Sequence, residues 1–320
     1  MNPLVSVILV NWNHGDFLPE CLAALSAQTY SPFELLVIDN GSTDGSPDWL
    51  ARHAPYVRLI PFPDNRGFAP ALNYGIQHTA GKFILSLNPD VVARPEFLAA
   101  LVAALQANPR VGSAAPKLLR ADDPARLDST GLFIDRRRCP YDRGQGQTDR
   151  GQYDAQTNIF GACGAAALYR RAMLQDVQWG QEYFDEDFFA YYEDADLAWR
   201  AQWRGWQCRY APGAVATHLR GGGDTLRKGR RPNPRGPRLA WRNRYLMTIK
   251  NDTLVGFLRD LPFIVGAELP RLAYATLTRP STLLGLLDLL RQWPVAWRKR
   301  KLMQRRQVVE AAALRRWFLL

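Results

Sequence analysis

Three times in the first 90 residues, a short apolar run breaks off into a polar cluster. Leu4-Val5-Ser6-Val7-Ile8-Leu9-Val10 ends at Asn11-Trp12-Asn13, and Leu35-Leu36-Val37-Ile38 ends at Asp39-Asn40-Gly41-Ser42. Phe83-Ile84-Leu85-Ser86-Leu87 ends at Asn88-Pro89-Asp90. Runs of this length and density fit strands covered on both faces, as in parallel sheets. Between them lie helix-like segments: 16–28, with Phe17, Leu18, Cys21, Leu22 and Leu25 at helical spacing, then 47–53 and 67–79. A further strand is read at 57–61. The alternation predicts an α/β domain with a mostly parallel sheet and crossover helices. Its ligands belong beyond the carboxyl ends of the strands, where the polar clusters fall.

The rest of the chain is less periodic. Residues 135–157 are rich in Arg, Gly, Gln and Asp and read as a long surface loop. Apolar pattern returns over 159–177, and 182–210 mixes aromatics with acids. A basic Gly/Pro stretch over 221–238 reads as a flexible linker or lid, and 239–320 as a helical extension. Charge is split along the chain. From Arg220 onward there are 22 Lys and Arg against 6 Asp and Glu, whereas the first 219 residues carry 19 against 24. Such asymmetry implies a basic extension facing an anionic surface. Its helices set Leu and Trp beside Arg298-Lys299-Arg300-Lys301, and charges or prolines interrupt every apolar stretch. They suit the plane of an anionic membrane surface rather than a span, with packing on the catalytic domain as the alternative.

Several classes are excluded. No GxGxxG follows the first strand, so a nicotinamide dehydrogenase is ruled out. The pI of about 9.7 invites a nucleic-acid reading, but no nucleic-acid module accompanies it and no nucleic-acid partner is expected. Cys21, Cys139, Cys163 and Cys208 form no CxxC pair, so neither zinc nor a disulfide framework is indicated, and a cytoplasmic location without secretory signal is expected.

Val7-Ile8-Leu9-Val10-Asn11-Trp12-Asn13, Val37-Ile38-Asp39-Asn40-Gly41-Ser42-Thr43-Asp44, Asn65-Arg66-Gly67-Phe68-Ala69, Leu87-Asn88-Pro89-Asp90 and Tyr192-Glu193-Asp194-Ala195-Asp196 occur in order. The series resembles the motifs of family 2 glycosyltransferases, particularly the bacterial rhamnosyltransferase-like branch. It covers about residues 4–220, with weaker similarity through Arg242-Asn243-Arg244. The resemblance implies a GT-A fold over 1–220, with a donor half to about 115 and an acceptor half from 116. It implies an inverting transfer of a sugar, L-rhamnose from dTDP-rhamnose in this branch and a hexose from UDP in close relatives. The acceptor would be a glycan or lipid-linked precursor for the cell envelope, reached by an enzyme peripheral at the inner face of the membrane. A non-catalytic nucleotide-sugar binder is the remaining rival.

Roles carry over position by position. Asn11 and Trp12 fall in the donor site, with Trp12 covering the base, and Asp39 would accept from a pyrimidine imide N–H. Asp44 and Arg66 match neighbouring donor positions; the competing role for Asp39 and Asp44 is to organise a turn. Asp90 would hold Mg2+ or Mn2+ bridging the diphosphate, with His218 completing the coordination. Asn88 replaces the first carboxylate of the usual DxD pair, which weakens the metal or leaves Asn88 to contact ribose. Asp194 would be the general base, and Phe188-Phe189-Ala190-Tyr191-Tyr192 an apolar wall against water. Asp196 would only serve the helix dipole. The small residues of Phe160-Gly161-Ala162-Cys163-Gly164-Ala165-Ala166 would let backbone amides approach the donor phosphates or the acceptor.

Overall fold

Every residue of the first strand, β1 (Val5–Asn11), is buried, as an unbroken apolar run covered on both faces requires. The computed structural model describes residues 2–220 and 235–319. After β1 come α1 (Leu18–Ser26), β2 (Phe33–Asn40), α2 (Ser46–His53), β3 (Arg58–Phe62), α3 (Phe68–Gln77) and β4 (Phe83–Leu87). The chain continues through β5 (Val91–Ala93), α4 (Phe97–Gln106), β6 (Val111–Arg120), β7 (Leu127–Ser129), β8 (Leu132–Asp135), β9 (Pro140–Asp142) and β10 (Asn158–Ile159). Next come β11 (Ala166–Arg170), α5 (Arg171–Val177), α6 (Glu193–Trp203) and β12 (Gln207–His218). The last elements are α7 (Gly236–Asn251), α8 (Leu254–Thr278), α9 (Leu284–Arg306) and β13 (Phe318–Leu319).

β1 lies between β2 and β4 and is parallel to both, with Asn11 opposite Asp39 and Leu9 opposite Leu87. β11 runs antiparallel between β4 and β6, and β12 is parallel to β6. One end of the sheet therefore gathers the carboxyl ends of β1, β2, β4, β6 and β12 together with the start of β11. Alternation along β1 divides the core: Val5, Val7 and Leu9 join Leu18, Leu22 and Leu101 on one face. Ile8 and Val10 join Leu72 and Ile76 on the other.

Two expectations change. Residues 135–157 are not a plain surface loop: they contain β9 and bury Arg138 and Arg143. Arg138 donates to Asp252 at 2.7 Å and to Asp260 at 3.0 Å, and Arg143 donates to Thr130 at 2.9 Å. Polarity concealed the burial, because an arginine reads as solvated until its partners are known, and those of Arg138 lie far along the chain. Of the expected 221–238 linker, residues 221–234 lie outside those described, but Gly236, Pro237 and Arg238 open α7. Proline is tolerated there because the first turn of a helix has no use for its amide.

The basic extension is fastened to the α/β domain. β13 pairs with β8, and Trp317 packs edge-on against Phe133 and Phe160 at 6.0 and 6.1 Å. α8 and α9 nevertheless leave apolar side chains outside: Val255 is 78% exposed, Leu277 83% and Leu290 66%. Among the described residues, no helix is long and apolar enough to cross a membrane.

Candidate active site

The turn after β2 is built from hydrogen bonds. Asn11 donates through Nδ2 to Asp39 at 2.7 Å and to the hydroxyls of Ser42 and Ser46 at 3.1 and 2.7 Å. Asp39 accepts the Ser42 amide at 3.0 Å, and both Asn11 and Asp39 are buried. Asp44 accepts the Gly15 amide at 2.8 Å and the Ser46 hydroxyl at 2.6 Å. Burial opposes ionisation of Asp44, but the Ser46 and Gly15 bonds outweigh it and hold the carboxyl below its usual range. Asp39 and Asp44 thus do organise the turn, with Trp12 exposed beside it. Asn40 accepts the Arg66 amide at 2.9 Å and donates to the Gly67 carbonyl at 3.0 Å, pinning the loop that opens α3. The Arg66 guanidinium lies over the Phe62 ring at 4.4 Å, with its side chain half-exposed. Asn88 sits half-buried in the turn after β4, where its amide bonds the Ala165 carbonyl at 2.8 Å.

Asp90 and His218 meet although 128 residues separate them. β5 starts directly after Asp90 and pairs Val91 with His218 at the end of β12. His218 Nε2 lies 3.5 Å from Asp90 Oδ1, and its Nδ1 donates to Asp128 Oδ2 at 2.8 Å. Burial alone would lower the imidazole, but hydrogen bonds and charge from Asp128 and Asp90 push it up to about 9. Asp128 also binds Arg220, which reaches Asp142 at 2.5 Å. Sequence reading missed Asp128, since a lone acid in a short strand carries no periodic signal.

Asp194 stands on the first turn of α6. Its Oδ2 accepts the Gly164 amide at 2.7 Å and its Oδ1 the Ala195 amide at 2.7 Å. A Cβ on Gly164 would lie 3.2 Å from Asp194 Oδ2, so this glycine permits the approach. The amide of the small-residue segment therefore points at the carboxylate of Asp194. Desolvation raises Asp194 to about 6 against those two amides. Glu193 is raised to about 8 by desolvation and by the charge of Asp194. Of the two adjacent carboxyls, Asp194 is thus the one whose ionised form two backbone amides favour.

The segment before α6 is strained. Phe189, Tyr191 and Tyr192 have φ of 64°, 72° and 71°. Phe189, at ψ −63°, is the centre of a γ-turn closed by the Ala190 amide on the Phe188 carbonyl at 2.7 Å. Such backbone costs about 1–3 kcal/mol per residue and persists only where the surroundings enforce it. α7 enforces it. Asn243, fully buried, donates to the carbonyls of Phe188, Ala190 and Tyr191 at 2.9, 2.8 and 2.8 Å. Arg242 donates to those of Asp187 and Phe188 at 2.8 and 3.1 Å. Phe189 in turn lies against Gly67 and accepts the Ala69 amide at 3.2 Å, joining this segment to the donor-side loop.

Asp196 does not merely decorate a helix end. It is buried, bonded to Arg200 at 2.9 Å, to Lys250 at 2.8 Å and to Asn251 at 2.7 Å. Nearby Asp185 is held by Lys250 and by Lys299, the latter at 2.7 Å. Burial raises Asp185, but the two lysines outweigh it and hold the carboxyl well below the carboxylate range. Part of the basic surplus therefore neutralises the acids around α6.

The model for the family described as "Glycosyl transferase family 2" matches residues 6–178. The N-acetylglucosaminyl-diphospho-decaprenol L-rhamnosyltransferase of Mycobacterium tuberculosis is 30% identical over 244 residues, covering 68% of this chain and 76% of that protein. A poly-beta-1,6-N-acetyl-D-glucosamine synthase of Staphylococcus aureus is 21% identical over 220 residues, 67% of this chain and 50% of its own. Among solved structures, a mannosyltransferase from Pyrobaculum calidifontis in complex with GDP-Man and Mn2+ superposes with a TM-score of 0.52 at 21% identity, covering 99% of this chain and 79% of that one. GalNAc-T7 with UDP, GalNAc and Mn2+ gives 0.57 at 14% identity over 78% of this chain and 48% of its own. With its mostly parallel sheet and motifs gathered at one sheet end, the chain belongs to glycosyltransferase family 2, in the rhamnosyltransferase-like branch, and has the GT-A fold.

Proposed function

We propose that this glycosyltransferase moves L-rhamnose, with inversion, from dTDP-rhamnose to a hydroxyl of a lipid-linked glycan acceptor at the inner face of the membrane. The observation that carries the reading is Asp194: a carboxylate on the first turn of α6 held by the Gly164 and Ala195 amides. It accepts the acceptor proton as the oxygen attacks the anomeric carbon from the face opposite the diphosphate, which leaves with the electron pair of the broken C–O bond. The sugar and acceptor in the name of the mycobacterial relative support the choice of donor and the lipid-linked acceptor.

Asp90 and His218 fit a divalent cation, Mg2+ or Mn2+. The cation would take the place of the proton held between the Asp90 carboxylate and the His218 imidazole, and Asp128 would orient the imidazole from behind as carboxylates do behind metal-bound histidines. Among the described residues no group of three or more such side chains stands ready for a metal, so diphosphate oxygens would supply the remaining ligands. The cation would offset the charge gathering on the leaving diphosphate. Exposed Trp12 would cover the base, with Arg66 and Asn88 at the donor's edge.

Membrane docking rests on the exposed apolar residues of α8 and α9 and on the basic surplus around them. The full chain should bind anionic vesicles at low salt and leave them as salt rises, and Leu277→Glu with Leu290→Glu should weaken that binding. Unchanged partitioning of the double variant would remove the docking face. The activity itself is tested by offering dTDP-rhamnose and UDP-hexoses with Mg2+ or Mn2+ and reading the product's anomeric configuration by NMR. Inverted rhamnoside is expected. Turnover of UDP-hexose alone would replace the donor, and turnover of neither donor would leave a binding protein.

A further inference from the structure

A cavity of about 360 Å³ opens between α7, α8 and the turn that follows α8. Trp241, Pro270, Tyr274 and Ala275 line it with apolar surface, and Arg271 and Arg279 supply its cations. Its volume lies within the range of small-molecule sites, whereas well-packed interiors leave few voids larger than a water. Tyr274 and Leu277 on α8 are exposed, so the opening is continuous with the apolar face assigned above to the membrane.

Inward, the same wall leads to the proposed base. Arg271 donates to Glu268 at 2.9 Å and to the Cys139 sulfur at 3.0 Å, and Arg244 reaches the same Glu268 at 2.5 Å. Arg244 follows Asn243 on α7, and Asn243 bonds the Tyr191 carbonyl at 2.8 Å, so this wall reaches the segment that leads into Asp194. The apolar groove, Arg271 and Arg244 joined through Glu268, and the segment before α6 therefore adjoin one another.

We infer that this groove is the lipid subsite of the acceptor, taking the first isoprenoid units of a polyprenyl diphosphate-linked sugar, with the exposed Arg279 facing its diphosphate. The inference rests on the reading of a lipid-linked acceptor. The walls offer a peptide or a bare sugar few hydrogen-bond partners, whereas a hydrocarbon chain needs none. Planar guanidinium groups suit paired phosphates. A chain entering here passes from the bilayer to the groove without crossing water, and its sugar is carried inward toward Asp194.

Farnesyl diphosphate is a soluble probe for the full-length protein. Calorimetry should show it binding, with inorganic diphosphate and phosphatidylglycerol vesicles both failing to displace it. Ala275→Trp fills the groove and should weaken binding by roughly tenfold or more. Arg279→Gln and Tyr274→Ala, both exposed and safe for folding, should each weaken it by a few-fold. The KM for a polyprenyl-linked acceptor should rise in parallel, while donor binding and transfer to a short-chain soluble acceptor stay at wild-type levels. Equal affinity across the variants overturns the subsite. Full displacement by inorganic diphosphate reduces it to an anion site, and displacement by phosphatidylglycerol assigns the groove to bulk phospholipid. Groove-dependent binding without transfer to any acceptor would instead break the functional reading and leave the subsite standing.

Discussion

Asn11, Asp39, Ser42, Asp44 and Ser46 hold one another across two adjacent strands, through residues at most 35 positions apart. The segment before α6 stands at the same end of the sheet and is held in the opposite way. Its carbonyls are bonded by Asn243 and Arg242, more than 50 positions away, and its acids by Lys250 and Lys299. The donor-side turn is a relaxed Asx-type structure that its own residues favour. The base-side segment places bulky residues at positive φ and needs a partner to keep them there. Recognition of a fixed ligand group can be built locally. A carboxylate aimed at a reacting oxygen requires a backbone that the sequence alone does not prefer.

The largest effect should come from Asp194. Asp194→Asn is nearly isosteric, so donor affinity by calorimetry should match wild type while turnover falls by about 10²–10⁴-fold. The wild-type rate should also fall as pH drops through about 6. A base works only when deprotonated, and desolvation places its ionisation above that of an ordinary aspartate. Glu193 and Asp194 are adjacent carboxyls, so the profile reports the two together. A rate that stays level down to pH 4.5 would remove Asp194 as the base, whatever the family.

Next come the supports of that side. Asp196→Asn leaves the charge of Lys250 and Arg200 underpaired in the interior, so about 3–5 kcal/mol of stability should be lost on chemical denaturation. Asn243→Ala strands buried carbonyls and should cost about 1–3 kcal/mol. It should also slow turnover by roughly tenfold, because near-attack geometry is sensitive to shifts of about 1 Å. Asn243 acts through the segment and touches no reactant, so its donor affinity should hold. If stability fell and turnover per folded molecule did not, Asn243 would be a packing residue only.

The same contrast explains what could be read from the sequence. Periodicity located β1 to β4 and their helices within about two residues, because burial there is set by neighbouring strands. The resemblance marked Asp90, Asp194 and His218, and the fold brings Asp90 to His218 through the pairing of β5 with β12. It gave Asp196 a helix-dipole role, because nothing local announces Lys250 as its partner. Residues 135–157 read as loop for a similar reason: an arginine looks solvated until Asp252 and Asp260 are known to face it. Contacts across more than fifty positions leave no periodic trace.

The smallest effect should be at Asp44, and it sharpens the comparison from the donor side. Its carboxylate is exposed, but three donors on Gly15 and Ser46 hold it to the turn that opens α2. Solvent screens such a group, so Asp44→Asn should cost only about 0.5–1 kcal/mol. The sign of its pH dependence follows from the direction of the shift. A carboxyl held below its usual range in the folded state stabilises the protein above the unfolded pKa, and that contribution is lost as pH falls through the folded value. Wild type and Asp44→Asn should therefore differ in thermal midpoint at pH 7 and converge as pH falls below the ordinary carboxylate range. If the turn is the whole of its work, donor affinity should change by less than about threefold. A loss of donor affinity of about tenfold or more, with the midpoint barely moved, would show that Asp44 reaches the donor as well. The local network would then carry ligand contacts through the same residues that shape it.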